Sequence, residues 1–155
     1  REFNMICSGA GAFESLRLEK GYRSLGSDIH TNTNPYESGL GFTVKLKKDT
    51  DFIGKEALSK IKEAPIQKKL ACMVLDDSEG MALGTEPIYS DGKAVGYVTS
   101  TNYGYFVDKH IVYGYLPSEL SSTGTKLELE YFGKRYPLTV TTEPLLDPEN
   151  TRLKS

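Results

Sequence analysis

The spacing of apolar residues changes near residue 68. Before that point apolar residues recur every three or four positions, which is typical of helices that bury one face. After it they form short runs and alternating patterns separated by turn residues, which is typical of antiparallel strands. The sequence therefore predicts a helical N-terminal part followed by a sheet.

The first helix is predicted over residues 8–21. Ser8 is a candidate N-cap, and Gly21 stands where a left-handed residue commonly ends a helix. The apolar residues within it recur at helical spacing: Ala12, Phe13 and Leu16.

A second helix is predicted over residues 51–62, with Asp51 as its cap and Pro65 as its stop. Its apolar residues form one stripe: Ile53, Ala57, Leu58 and Ile61. The intervening residues 23–41 are rich in Gly, Asn, Thr and Ser and are predicted to form a connecting loop.

The remaining pattern predicts five or six short strands. Asp91-Gly92 is a strong two-residue hairpin signal between two of them. The predicted strands are Leu70–Leu75, Pro87–Ser90, Lys93–Ser100, His110–Leu116, Lys126–Tyr131 and a return strand through Tyr136, Leu138 and Val140. The expected fold class is thus mainly β, an antiparallel barrel preceded by an N-terminal helix and a connecting helix.

Composition narrows the possible partners. The 155 residues carry 19 Lys and Arg against 21 Asp and Glu, a net charge of −2, so no general attraction to nucleic acid is expected. No apolar run approaches the 18 or so residues that a membrane-spanning helix needs, so no membrane partner is expected either. Lysines exceed acids by four between residues 45 and 69, which favours a solvated helix face over a binding surface.

Cysteine and histidine give little sign of chemistry. Cys7 and Cys72 are too few for a disulfide scaffold, which favours a reducing compartment. Cys72 lies in an apolar strand, where an inert core thiol is expected. His30 and His110 lack the close spacing of metal ligands, so no metal site is expected.

Two aromatic segments are candidate ligand contacts. Tyr103 and Tyr105 could stack on a flat heterocycle such as a pterin or a base, or they could simply close the barrel end. Tyr36 and Glu37 place a ring and a carboxylate on one loop. That carboxylate could accept two hydrogen bonds from an amino-pyrimidine edge, or it could cap a turn or pair with a lysine.

Several motifs in order resemble the aminomethyltransferase family, which comprises the glycine-cleavage T-protein and its relatives. The matching segments are Ser15-Leu16-Arg17-Leu18-Glu19 with Gly26 and Asp28, Asn34-Pro35-Tyr36-Glu37-Ser38-Gly39, Asp51-Phe52-Ile53-Gly54-Lys55, Gly96-Tyr97-Val98-Thr99-Ser100, and Gly114-Tyr115-Leu116-Pro117. This resemblance implies the end of a folate-binding domain over residues 1–41 and the family's C-terminal β-barrel domain over residues 42–155.

Two further segments resemble one branch of the family, the dimethylglycine and sarcosine dehydrogenases. They are residues 19–23 and residues 143–152. In that branch a FAD-binding half removes a hydride from an N-methyl group, and the iminium passes its carbon to tetrahydrofolate, giving 5,10-methylene-tetrahydrofolate. The resemblance implies that this chain is the final, folate-side piece, whose partners are the preceding folate and flavin domains of the same protein. The alternatives are a non-catalytic folate- or partner-binding relative and the aminomethyltransferase of glycine cleavage.

The resemblance also affects the site residues. Phe13 stands where T-proteins commonly have an arginine that reaches the folate, so its ring is a candidate contact for the aminobenzoate. The family's catalytic aspartate and pterin-binding glutamate precede the residues present here, so no catalytic residue is assigned and the chain alone is expected to be inactive. The expected location is the cytoplasm, or the mitochondrial matrix in a eukaryote.

Overall fold

Six antiparallel strands close into a barrel in the computed structural model, which describes residues 2–3, 5–77 and 80–154. Around the barrel the strands follow the order β1-β4-β3-β2-β5-β6, and β6 pairs again with β1. Their bounds are β1 Lys68–Leu75, β2 Pro87–Ser90, β3 Lys93–Gly104, β4 Lys109–Pro117, β5 Lys126–Tyr131 and β6 Lys134–Thr141. The predicted antiparallel barrel is confirmed.

Turn chemistry explains why the strands pair as they do. At the β2–β3 turn Asp91 and Gly92 have φ values of +49° and +75°, the left-handed pair of a tight two-residue hairpin. Phe132 and Gly133 adopt the same conformation between β5 and β6. Strand β3 continues four residues beyond its predicted end, so Tyr103 lies on a strand, whereas Tyr105 lies on the β3–β4 turn.

Helix α1 (Ala10–Glu19) begins two residues after its predicted start. The proposed Ser8 cap is wrong: Gly9 occupies the N-cap position in an extended conformation, and no side chain caps the helix there. The helix ends at Glu19, two residues before its predicted end. Gly21 does have the expected left-handed conformation, with a φ of +73° that a residue with a Cβ rarely adopts.

Helix α2 (Lys55–Glu63) is shorter than predicted. Asp51 is not its cap, because Gly54 at the N-cap position has a φ of +90° and interrupts the helix before it could reach Asp51. No residue of α2 is buried, and Ile53 is fully exposed, so the predicted apolar stripe does not pack against the barrel. A third helix, α3 (Thr151–Lys154), was not predicted.

Both faces of the sheet are buried where α1 lies over it. Along β4, Val112 and Leu116 point into the barrel, whereas Ile111, Tyr113 and Tyr115 point outward and pack with Leu18 of α1. A strand covered on both faces has no polar side, which explains the continuous apolar run of β1. Among the described residues, no helix has the length and apolar character to cross a membrane.

Candidate functional site

Helix α1 buries a polar face and exposes an apolar one. Ser15, Arg17, Leu18 and Glu19 are buried against the barrel, whereas Phe13 and Leu16 are 67% and 59% exposed. The usual arrangement of an amphipathic helix is therefore reversed for most of this helix.

Arg17 is the centre of the buried polar contacts. Its Nη1 donates to Asp28 Oδ2 at 2.7 Å, and its Nη2 donates to Ser100 Oγ at 2.8 Å. Its Nε donates to Glu14 Oε2 at 2.8 Å, on the more exposed side of the helix. The guanidinium thus joins α1, the following loop and strand β3, and its charge is matched where water cannot reach it.

Asp28 completes this part of the network. Its side chain is only 1% exposed, and it accepts hydrogen bonds from the Ser24 amide at 2.9 Å and from Thr99 Oγ1 at 2.5 Å. The Asp28 carbonyl accepts from the Tyr115 hydroxyl at 2.8 Å, and burial raises the pKa of that hydroxyl. The carboxylate is fully engaged in holding the loop to the barrel, so it is a structural group.

Glu19 holds the turn between β3 and β4. It is completely buried, and its Oε1 accepts from the backbone amides of Phe106 at 2.7 Å and Val107 at 3.2 Å. Ser15, one turn earlier, donates to the Tyr103 carbonyl at 2.7 Å. Many of the motif residues that resemble the aminomethyltransferases therefore share one physical role, which is to fasten α1 to strand β3.

The exposed face of α1 borders an open apolar cavity of about 340 Å³. Its walls come from α1, from Tyr22 and from the C-terminal segment; the principal side chains are Phe13, Leu16, Tyr22, Lys20, Leu146 and Leu153. A cavity of this size and character can hold one aromatic group of a ligand. Phe13 is as exposed as its predicted role requires, but whether it contacts folate stays a prediction.

A second cavity, of about 580 Å³, lies on the other side of α1. Ala12 and Leu16 form one wall, and Tyr105 and Phe106 on the β3–β4 turn form the other. Tyr105 is thus on the same side of the barrel as the exposed face of α1, and its ring makes an edge contact with that of Tyr103 at a centroid distance of 5.1 Å. The Tyr103 hydroxyl donates a hydrogen bond to Asp108 Oδ1, and this bond raises the pKa of the tyrosine.

Tyr36 and Glu37 lie elsewhere. The Tyr36 hydroxyl donates to the Leu58 carbonyl at 3.3 Å, which ties the loop to α2. Glu37 Oε2 accepts from the Asn34 amide at 3.1 Å, so this carboxylate stabilises its own loop. That loop joins β1 through the hydrogen bond from the Leu70 amide to the Glu37 carbonyl.

The strand pairing along β4 shows how far the Tyr36–Glu37 loop lies from the segment with Tyr103 and Tyr105. Tyr103 pairs with His110, whereas Leu70, which contacts the Glu37 backbone, pairs with Tyr115. Five residues along a strand span roughly 16 Å. The structure therefore does not bring the Tyr36–Glu37 loop together with Tyr103 and Tyr105 into one cavity.

Of the remaining reactive side chains, Cys72 and His110 are held by packing and a hydrogen bond, whereas Cys7 is exposed. Cys72 is buried, and burial raises the pKa of its thiol to about 12, in agreement with the predicted inert core thiol. His110 contacts Thr101 Oγ1 at 2.9 Å through Nε2, and burial lowers its pKa. Within residues 2–3, 5–77 and 80–154, no group of three His, Cys, Asp or Glu side chains is placed to hold a metal ion.

Comparison with known proteins agrees with this architecture. Residues 68–147 match the glycine cleavage T-protein C-terminal barrel domain, and residues 1–48 match the GCVT N-terminal domain. The chain is 40% identical to the mitochondrial dimethylglycine dehydrogenase of Rattus norvegicus and 35% identical to the human mitochondrial sarcosine dehydrogenase. These alignments cover 94% and 97% of this chain but 17% of each dehydrogenase.

Aminomethyltransferases are similar to a comparable degree. That of Prochlorococcus marinus (strain NATL1A) is 39% identical over 88% of this chain and 36% of its own length. The crystal structure of glycine cleavage system aminomethyltransferase T from Bartonella henselae superposes with a TM-score of 0.78 at 27% identity, over 87% of this chain and 38% of that one. The closed barrel, the buried motif network and these matches together show that the chain belongs to the glycine cleavage T-protein C-terminal barrel family.

Proposed function

We propose that this chain is the tetrahydrofolate-side part of a FAD-dependent N-methylglycine-type dehydrogenase, acting on dimethylglycine or sarcosine. The observation that carries the proposal is the reversed helix α1, whose polar residues are fixed to the barrel while Phe13 and Leu16 face outward beside an apolar cavity. An apolar face held this rigidly is suited to form one wall of a ligand cavity that a preceding domain completes.

The chemistry assigned to the whole protein needs such a wall. A flavin held by the preceding half would supply a hydride acceptor for the N-methyl carbon and would leave an iminium. Bound tetrahydrofolate would take up that iminium carbon as 5,10-methylene-tetrahydrofolate, releasing the demethylated amine. Water attacking the same iminium would give formaldehyde instead. The contribution of this chain is to exclude water and to hold the folate, so its side chains shape the cavity without exchanging protons.

The proposed contacts differ in how well the structure supports them. Phe13 borders the apolar cavity, where its ring can pack on the aminobenzoate of the folate. Tyr105 borders the second cavity, with Tyr103 beside it. The loop of Tyr36 and Glu37 is offset from Tyr103 by five residues, roughly 16 Å, along β4. Tyr36 bonds to α2 and Glu37 bonds within the loop, so their proposed contact with the pterin requires an extended ligand or a second part of the cavity.

The chain by itself is expected to be inactive. Its sequence has no glycine-rich phosphate loop that could hold a flavin, and the family's acid–base aspartate is not among its residues. The purified chain should be colourless and should form no methylene-tetrahydrofolate from dimethylglycine or sarcosine. Its proposed partners are the folate and flavin domains of the same protein, in the mitochondrial matrix if the source is a eukaryote.

A binding measurement tests the folate wall. A chimera in which this chain replaces the matching 148-residue region of the rat dimethylglycine dehydrogenase would be titrated with 5-formyl-tetrahydrofolate. Phe13→Ala should weaken binding roughly fivefold, because an aromatic contact contributes on the order of 1 kcal/mol. Phe132→Ala is the matched control: this ring is also exposed but lies on the β5–β6 turn. Equal affinities for the two variants would contradict the proposed wall.

An aminomethyltransferase is the second candidate, favoured by the 39% identity with the cyanobacterial enzyme. It would take its one-carbon unit from an aminomethyl-lipoyl carrier and would need no flavin domain. Fusing this chain to the N-terminal domain of that aminomethyltransferase and supplying the loaded carrier distinguishes the two candidates. Turnover there, with none in the dehydrogenase chimera, would favour this alternative.

A further inference from the structure

The C-terminal segment turns back from the barrel and crosses the end of α1. Residues 143–154, here named the strap, make two backbone-level contacts with that helix. The Leu146 amide donates to the Glu19 carbonyl at 3.0 Å, and Lys20 Nζ donates to the Asp147 carbonyl at 2.5 Å. Lys20 also pairs with the Asp147 carboxylate at 3.4 Å. The end of α1 is therefore joined to the strap at Leu146 and Asp147.

Asp147 organises the outer half of the strap. Its Oδ1 accepts from the Thr151 amide at 2.8 Å and from the Thr151 hydroxyl at 2.6 Å, and its Oδ2 accepts from the Arg152 amide at 3.3 Å. These bonds, led by that of the Thr151 hydroxyl, hold the pKa of the carboxyl well below its ordinary value. The Asp147 carboxylate thus pairs with Lys20 at the end of α1 and also accepts hydrogen bonds from the first residues of α3.

The outer half of the strap buries little surface. No residue of α3 is buried, and Leu153 is 70% exposed although it borders the cavity beside Phe13. Arg152 reaches across to the Phe106 ring, with 4.6 Å between the guanidinium carbon and the ring centroid. Segments with little buried surface open at low free-energy cost. Residue 153 also lies beyond residues 68–147, which match the family's barrel domain.

We propose that the strap is a movable wall of the cavity beside Phe13, latched by Lys20 and Asp147, and that its closure is coupled to occupation of that cavity. Opening removes Leu146 and Leu153 from the cavity, and closure restores the apolar enclosure. The docking of the strap stands on the contacts above, whereas the identity of the occupant, the aromatic part of a folate, rests on the proposed function.

Hydrogen–deuterium exchange on this chain tests the latch without any ligand. Amides of residues 146–153 should exchange measurably more slowly than an unstructured peptide. Lys20→Met should raise their exchange by roughly tenfold, while the amides of β1 and β4 stay unchanged. Lys60→Met is the matched control, because Lys60 pairs with Glu56 within the exposed helix α2. Exchange at the unstructured rate in the unaltered chain, or no response to Lys20→Met, would overturn the proposal.

The coupling to the cavity is tested in the dehydrogenase chimera with 5-formyl-tetrahydrofolate. Ligand should slow exchange in the strap, and Thr151→Val, which lies outside the cavity lining, should weaken binding roughly fivefold. Ligand binding with no change in strap exchange and no effect of Thr151→Val would overturn the movable wall while leaving the folate function intact. If the chimera binds no folate, the proposed function fails, and the exchange result on the chain alone still decides whether the strap is latched.

Discussion

Arg23 and Glu143, 120 residues apart in the chain, form a two-point ion pair. The Nη2–Oε1 distance is 2.5 Å and the Nη1–Oε2 distance is 3.0 Å. Burial alone would lower the pKa of Arg23, but the hydrogen bond and charge of Glu143 outweigh it and raise the pKa. The two segments in which the sequence resembles dimethylglycine and sarcosine dehydrogenases are thus in contact, which makes the end of α1 and the strap one structural unit.

Loss of the buried Arg17 guanidinium should destabilise the whole chain. Arg17→Met leaves the Asp28 carboxylate, 1% exposed, without its cation, and we expect the free energy of unfolding to fall by about 3–5 kcal/mol. Urea denaturation followed by circular dichroism measures it. Glu14→Gln is the control, because it removes only the charge of the half-exposed Glu14 from its ion pair with Arg17. It should lower the free energy of unfolding by less than about 1 kcal/mol. Similar losses for both variants would show that the buried network has no special weight.

Two motif glycines should be irreplaceable for steric reasons. A Cβ at Gly96 would lie 2.1 Å from the Tyr115 carbonyl oxygen, and one at Gly114 would lie 2.5 Å from that of Tyr97. Because both obstacles are backbone atoms of the paired strands β3 and β4, Gly96→Ala should cost about 3 kcal/mol or more. Gly11→Ala in α1 meets no atom within 4 Å and should instead stabilise by about 0.5–1 kcal/mol. Thermal unfolding of the two variants would give shifts of opposite sign.

The two cysteines should differ sharply in reactivity. Cys7 is exposed, whereas Cys72 is buried with its pKa raised to about 12. We expect a disulfide reagent at pH 8 to modify one thiol per native chain rapidly and two in denaturant, because only the thiolate reacts. Cys7→Ser should abolish the fast reaction. Rapid modification of Cys72 in the native Cys7→Ser variant would contradict its burial with Leu18 and Tyr113 between the barrel and α1.

Alkaline pH should destabilise the fold by ionising two buried groups, the Cys72 thiol and the Tyr113 hydroxyl. The pKa of Cys72 rises from 9.0 to about 12 and that of Tyr113 is also raised, in both cases mainly by burial. Since the unfolded thiol ionises first, the stability present below pH 9 is lost as the pH rises from 9 to 12. Cys72→Ala should flatten this decline in the free energy of unfolding, measured by urea titration at each pH. If the free energy of unfolding fell equally steeply with pH in the unaltered chain and in Cys72→Ala, the decline would not come from the Cys72 thiol.

The strands could be predicted because their signals are local. Alternation in residues 126–131 and the Asp91-Gly92 turn specify pairing within a few residues, and the structure follows them. The orientation of α1 could not be predicted in the same way. Its apolar spacing is real, but Arg17 finds its partners at Asp28 and Ser100, far apart in sequence, and those contacts turn the polar face inward.

The candidate site was predicted only in part for a related reason. Phe13 was identified through its position in a family motif, and it borders a cavity. Lys20 and Leu153 were missed as cavity residues, because the cavity depends on a C-terminal segment that returns to α1 through backbone contacts. The only sequence signal was the resemblance of residues 143–152 to the dehydrogenase branch, which gave no indication of where that segment lies.

The ratio of the two one-carbon products in the dehydrogenase chimera shows whether this chain encloses the folate. With dimethylglycine and tetrahydrofolate supplied, 5,10-methylene-tetrahydrofolate and formaldehyde would be quantified together with the rate of flavin reduction. We expect methylene-tetrahydrofolate to predominate. Phe13→Ala with Leu16→Ala should shift the ratio toward formaldehyde roughly tenfold while flavin reduction is unchanged. Formaldehyde as the main product of the unaltered chimera, or a ratio insensitive to both substitutions, would contradict the claim that this chain encloses the folate.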